Sequence, residues 1–228
     1  LYVTRGSTAE SLGLFGAVLA ALIGALFIAL RITGWLRAAP TSELMAIALF
    51  GTLTCIVSAG GRLLAMGVAA GLGPFGIFIT ALIDETLRYT LLGTLVLLYP
   101  RRGTAALAIL VDWLLSGFAL GTFGPSDLLL VGGRVLWLEL ALMAFGVTRG
   151  KLAQSPWGRL AWLRLGGAFA AASVVSSATG VILQVTLYRL YLADWYVALI
   201  LLLPGFIYVL IGVAFALPFA RSLREVAR

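Results

Sequence analysis

The fold class this sequence predicts is all-α: a polytopic integral membrane helix bundle of about seven transmembrane helices. Three observations carry that reading. Of 228 residues, 62% are hydrophobic and 11% charged, whereas soluble domains run about 45–50% apolar and about 25% charged. The mean hydropathy is +1.09. The apolar residues also fall into runs of roughly the 20 residues that a spanning helix needs, and the basic residues gather at alternate turns between those runs.

Seven runs meet the length requirement, at 12–34, 44–66, 77–99, 105–122, 128–147, 162–190 and 196–219. The turns between them carry Pro, Gly or charge: RAAPTSE (37–43), GLGPFG (71–76), YPRRG (99–103), GTFGPSD (121–127), the basic TRGKLAQSPWGR (148–159) and LADW (192–195). The first run follows a polar stretch and has no small-residue cleavage pattern before Arg31, so it is read as a helix rather than a signal peptide. The glycines at 60, 61, 67, 71, 73 and 76 leave open a re-entrant segment within 60–84. With seven spans and an outer N-terminus, one side collects eleven of the sixteen basic residues, from Arg31 and Arg37 to Arg221, Arg224 and Arg228. That side is the cytoplasmic one by the positive-inside rule, which puts the C-terminus in the cytoplasm and the protein in the cell membrane. Two units are expected: an extra transmembrane helix over 1–36 and a six-helix membrane bundle over 44–225.

Composition also removes chemistries. With no His and a single cysteine, Cys55, the chain builds neither an imidazole base, a Cys–His dyad, a zinc cluster nor an internal disulfide. No cofactor and no metal site is expected, and the chain is not expected to be an enzyme. The formal charge of +7 is read as membrane topology, not as a nucleic-acid footprint, because the basic residues sit at the ends of apolar runs.

In the first run Ala17, Ala21, Ala25 and Ala29 recur every four residues, with Gly16, Ala20 and Gly24 beside them. Small residues at this spacing let helix backbones approach closely in lipid, where apolar packing alone gives no preference for protein. This ridge is a helix-contact face, either against the chain's own bundle or against another membrane subunit.

Ionisable groups at membrane depth are costly and therefore functional candidates. Seven qualify: Arg62, Asp84, Glu85, Arg88, Asp112, Arg134 and Glu139. Asp84 and Arg88, four apart, share a helix face and neutralise each other, while Glu85 points about 100° away without a local partner. Arg134 and Glu139 are five apart and poorly placed to pair. Aromatic residues lie near the acids: Tyr89 four after Glu85, Trp113 beside Asp112, Trp137 two before Glu139. Carboxylates among aromatic faces suit a small cationic or heteroaromatic ligand, so Glu85, Tyr89, Asp112, Trp113, Trp137 and Glu139 are the candidate ligand-binding residues. The interfacial preference of Trp and Tyr explains the aromatics equally well. The hydroxyls of SVVSSATG (173–180) serve either as glue between helices or as ligand contacts.

From Glu43 onward, YPRRGTAAL (99–107), then LLSGFALGTFGP and VLWLELALMAFG with Glu139, then a last hairpin with Tyr188 and Tyr191 and a basic tail, resemble the substrate-binding S component of an energy-coupling factor (ECF) transporter. The likeness is to the group that takes thiamine and its hydroxymethylpyrimidine precursor, and it covers roughly 44–225. The resemblance implies capture of a small vitamin from outside, with uptake driven by a transmembrane coupling subunit and two cytoplasmic ATPases as partners. No GxxxxGK[ST] phosphate loop occurs in this sequence, so ATP hydrolysis would fall to those partners. Two other readings stand beside it: a structural or assembly subunit of a larger membrane complex, whose buried charges would pair fully, and a membrane enzyme holding a divalent metal on Asp84, Glu85 and Asp112.

Overall fold

The computed structural model describes residues 40–121, 125–148, 159–188 and 192–226. The expected first helix, with Ala17, Ala21, Ala25 and Ala29, lies outside the described residues. Everything described is helix and short turn.

Helix α1 spans Thr41–Leu72. The Pro40 carbonyl accepts hydrogen bonds from the amides of Glu43 and Leu44, and Glu43 in the first turn opposes the positive end of the helix dipole. The glycines of 60–71 do not break this helix. It ends at Leu72, and a single 3₁₀ turn, Gly73–Phe75, reverses the chain; Gly73 sits at φ +54°, a conformation open to glycine. Helix α2 follows as Gly76–Leu98, so 60–84 forms a helical hairpin.

Helix α3 spans Thr104–Leu120 and α4 Pro125–Ala144, with proline at its first position, where a missing amide hydrogen costs nothing. At the end of α4, Gly146 at φ +71° lets the Val147 amide reach back to the Leu142 carbonyl at 2.9 Å, which satisfies a carbonyl the helix would leave bare. Helix α5 is Arg159–Tyr188. The last segment runs as α6, Asp194–Leu202, a π-helical turn Leu203–Ile207, and α7, Tyr208–Val226. Pro204 cannot donate to an α-helical ladder, and the wider turn absorbs it.

The helices pack as a closed ring in the order α1, α2, α7, α5, α4, α3 and back to α1. Close approaches need small residues: a side chain at Gly212 on α7 would collide with the Thr86 carbonyl of α2, at 2.6 Å, and one at Gly51 on α1 with Val111 of α3, at 2.8 Å. Along the α2–α7 seam the hydroxyls of Thr86, Thr90 and Thr94 reach the carbonyls of Tyr208, Gly212 and Ala216 in turn. Such hydrogen bonds give membrane helices a cohesion that apolar packing does not.

One end of the ring carries the charged turns. There Arg101 pairs with the fully buried Glu43 at 3.1 Å, and Arg224 donates to the Leu97 carbonyl. At the opposite end Phe75 stacks on Trp195, and Phe78 meets Tyr196 edge to face. Between the ends, but nearer the arginine-rich one, Leu92, Leu95, Val96, Leu97, Leu138, Phe169, Val209 and Val213 are 0–2% exposed and form a dense core.

Outward faces are apolar: Met45, Ile56, Leu63, Phe118, Leu160 and Phe215 are all more than half exposed. By length and composition, Thr41–Ala65, Leu160–Leu183 and Asp194–Glu225 are able to cross a membrane, while Thr104–Ala119 is apolar but shorter. The described residues thus give three candidate spans against the seven expected. The difference lies chiefly in α2 and α4, which hold the charged residues Asp84, Glu85, Arg88, Arg134 and Glu139. These long apolar helices are compatible with a membrane protein.

Candidate functional site

A cavity of about 930 Å³ lies inside the aromatic end of the ring. Every helix but α7 contributes to its wall: Ser58 and Gly61 from α1, Asp84, Glu85, Arg88 and Tyr89 from α2, Asp112, Trp113 and Ser116 from α3, Asp127 and Arg134 from α4, Ser173, Ser176 and Ser177 from α5, and Tyr196 from α6, with Pro204 of the π-helical turn. Its size is in the upper range of small-molecule sites, about 300–1,000 Å³.

The charges form a cluster centred on Arg88, itself 9% exposed. Its guanidinium reaches Asp84 at 3.2 Å and Glu85 at 3.4 Å, and donates to the Ser58 hydroxyl at 2.7 Å. The Asp84 pairing is the one the four-residue spacing predicts. Glu85 does have partners: Arg88 three residues on, and Arg134 across the ring at 4.0 Å. Asp112 accepts a hydrogen bond from Ser116 one turn later, at 3.4 Å, and the same serine hydroxyl lies 3.4 Å from the Cys55 sulfur. Several polar atoms of the cluster are buried with no hydrogen bond: Asp84 Oδ1, Glu85 Oε2 and Arg88 Nε. Unsatisfied buried atoms each cost about 1–3 kcal/mol, so this network is not fully closed by the protein's own groups.

Beneath the floor a further space of about 10 Å³ lies among Arg88, Tyr89, Arg134, Leu92, Ile109, Leu138 and Ala172, room for about one water molecule. Tyr89 packs edge to face on Phe169 there, which joins the cavity to the core.

Four of the six expected ligand-binding residues, Glu85, Tyr89, Asp112 and Trp113, line the cavity. Trp137 instead packs against the hydrophobic core. Glu139 is at the arginine-rich end, where one carboxylate oxygen accepts from the amides of Gly103 at 3.1 Å and Ala106 at 3.3 Å. It caps the first turn of α3, a helix with no acidic residue of its own there. Arg134 and Glu139 do not pair with each other.

Sequence reasoning named Ser173, Ser176 and Ser177 only as a hydroxyl cluster and Gly61 only as a possible break in a helix, and it passed over Ser58 and Ser116. The signals were present: Ser116 lies one helical turn after Asp112, and Thr54, Ser58, Gly61 and Ala65 form a small and polar stripe at helical spacing along α1. Gly51 and Cys55 are turned into the bundle against α3, so this face of α1 is spent on internal packing. Among the described residues no three Asp, Glu or Cys side chains converge as metal ligands.

Compared with known family models, curated proteins and solved structures, the chain matches none of them.

Proposed function

We propose that the chain is a membrane-embedded binding protein for a small polar molecule, taken up at the aromatic end of the ring. The observation that supports this best is the 930 Å³ cavity whose wall combines four carboxylates, Arg88 and Arg134 with Tyr89, Trp113 and a face of serine hydroxyls. An assembly subunit would be expected to close its buried charges on one another and fill its centre. Here the centre is open and buried carboxylate oxygens lack donors.

In this reading the chain acts as the S component of an ECF-type transporter, with a transmembrane coupling subunit and two ATPases as partners and thiamine or hydroxymethylpyrimidine as the candidate vitamins. That assignment comes from the sequence resemblance over 44–225. The binding step is supported by the cavity and does not depend on it.

Native mass spectrometry of the protein released gently from its own membranes tests both layers. A co-purifying molecule of vitamin size supports the binding reading, and a coupling subunit with ATPases supports the transporter assignment. An empty protein held stoichiometrically by other membrane chains overturns both in favour of an assembly subunit.

A further inference from the structure

The cavity wall carries four carboxylates, Asp84, Glu85, Asp112 and Asp127, and they are not equivalent. Asp84 has Arg88 at 3.2 Å; Glu85 has Arg88 at 3.4 Å and Arg134 at 4.0 Å. Asp112, only 9% exposed, has no Arg or Lys of the described residues as near as this, and its sole hydrogen bond is the Ser116 hydroxyl on Oδ1. Acids outnumber guanidiniums on this wall, four to two, and of Asp84, Glu85 and Asp112 it is Asp112 that has no ion pair.

An ionised carboxylate inside a low-dielectric bundle without a directly paired cation is costly to hold. Asp112 is also positioned for contact: it lines the cavity with Trp113 beside it and Tyr89 on the neighbouring wall. A cation seated there gains a carboxylate and aromatic faces together.

We propose that Asp112 is the counter-ion for the ligand, and that the ligand is a small organic monocation presenting N–H donors, a protonated amine or an amidine, rather than an anion or a quaternary ammonium. The inference rests on the binding reading above and departs from the vitamin candidates, since thiamine carries a fixed thiazolium charge and hydroxymethylpyrimidine is uncharged at neutral pH. N–H donors are required because Asp112 Oδ2 takes no hydrogen bond from the described residues, and a quaternary centre offers it charge alone. Arg88 directs Nη1 and Nη2 to Asp84, Glu85 and Ser58 and makes no ion pair with Asp112.

A matched series on one ring separates the alternatives: benzamidine, benzyltrimethylammonium, benzamide and benzoate, titrated by calorimetry against the full chain in nanodiscs. Benzamidine is expected to bind best, with benzamide and benzoate weaker by at least about tenfold. Asp112→Asn is expected to lose at least about tenfold in benzamidine affinity while its unliganded melting temperature stays level or rises, since it removes a buried charge that has no ion pair. Asp112→Glu, keeping the charge, is expected to retain binding. A benzamidine affinity unchanged in Asp112→Asn overturns the counter-ion role, and preference for benzoate or for the quaternary ion overturns the ligand class; either leaves the cavity a binding site. Should Asp112→Asn not fold, the order of the four probes on the unmodified chain decides. Failure of all four to bind overturns the proposal, and if a molecule nonetheless co-purifies, the binding reading survives without it.

Discussion

The Thr90 hydroxyl lies 2.7 Å from the carbonyl of Thr86 on its own helix and 3.1 Å from the carbonyl of Gly212 on α7. One proton is thus shared between an intrahelical and an interhelical acceptor, at the level where Gly212 brings the two backbones together. The same pattern one turn further along joins Thr94 to Thr90 and Ala216. This seam forms one wall of the ring above which the cavity is held.

Replacing Gly212 by alanine is therefore expected to destabilise more than removing the hydroxyl. The added carbon would meet the Thr86 carbonyl at 2.6 Å and the Thr90 amide nitrogen at 3.2 Å, both backbone atoms that cannot step aside, at a cost of about 1–3 kcal/mol. Thr90→Val should cost about 0.6 kcal/mol. Thermal unfolding of both variants in the same detergent checks the order.

Glu139→Ala is expected to loosen the start of α3, since the amides of Gly103 and Ala106 lose their acceptor; a lost cap costs about 0.5–2 kcal/mol. Glu139→Gln, which keeps an oxygen in place, should recover part of the loss. Ligand affinity should stay unchanged in the Gln variant, because the residue is not part of the cavity wall. A drop in affinity without a drop in melting temperature would return Glu139 to the binding site.

Arg101→Ala should strand the Glu43 carboxylate, whose side chain is 1% exposed while that of Arg101 is 50% exposed. Because Thr104 still donates to Glu43 and the arginine is half in solvent, the expected loss is about 1–3 kcal/mol. Glu43→Gln in the same chain should restore most of it. Non-additivity in the double-mutant cycle is the measurement.

A cysteine placed at Ser177, on the cavity wall, should react with a small water-soluble maleimide, whereas the native Cys55, buried between α1 and α3, should not. Mass spectrometry of the labelled protein reads both sites at once. No labelling at position 177 would mean that the cavity is closed to water.

Much of the helix layout is legible in the sequence because its punctuation is local. Pro40, Gly73, Gly103 and Gly146 mark ends that the runs already suggested, and α2, α3 and α5 begin and end within a few residues of the apolar stretches. Asp84 and Arg88 are equally legible, since four residues on a helix fix a shared face. Partners that depend on ring closure are not: nothing local brings Arg134 to Glu85, 49 positions away. Glu139 misleads for a different reason. Its partners are backbone amides, which leave no pattern in side-chain chemistry, and an acid beside a tryptophan reads the same whether it holds a ligand or caps a neighbouring helix.

The tightly filled layer of Leu92, Leu95, Val96, Leu138, Phe169, Val209 and Val213 beneath the charges has an electrical consequence. Water reaching Asp112 or Arg134 from the aromatic end meets a dielectric barrier there. If the bundle spans a membrane as proposed, the ionisable groups are hydrated from one compartment without giving protons or sodium a conducting file to the other. Vesicles containing the protein should hold an imposed potential as well as empty ones do, and a glycine opened in that layer, such as Leu138→Gly, is where leakage should first arise.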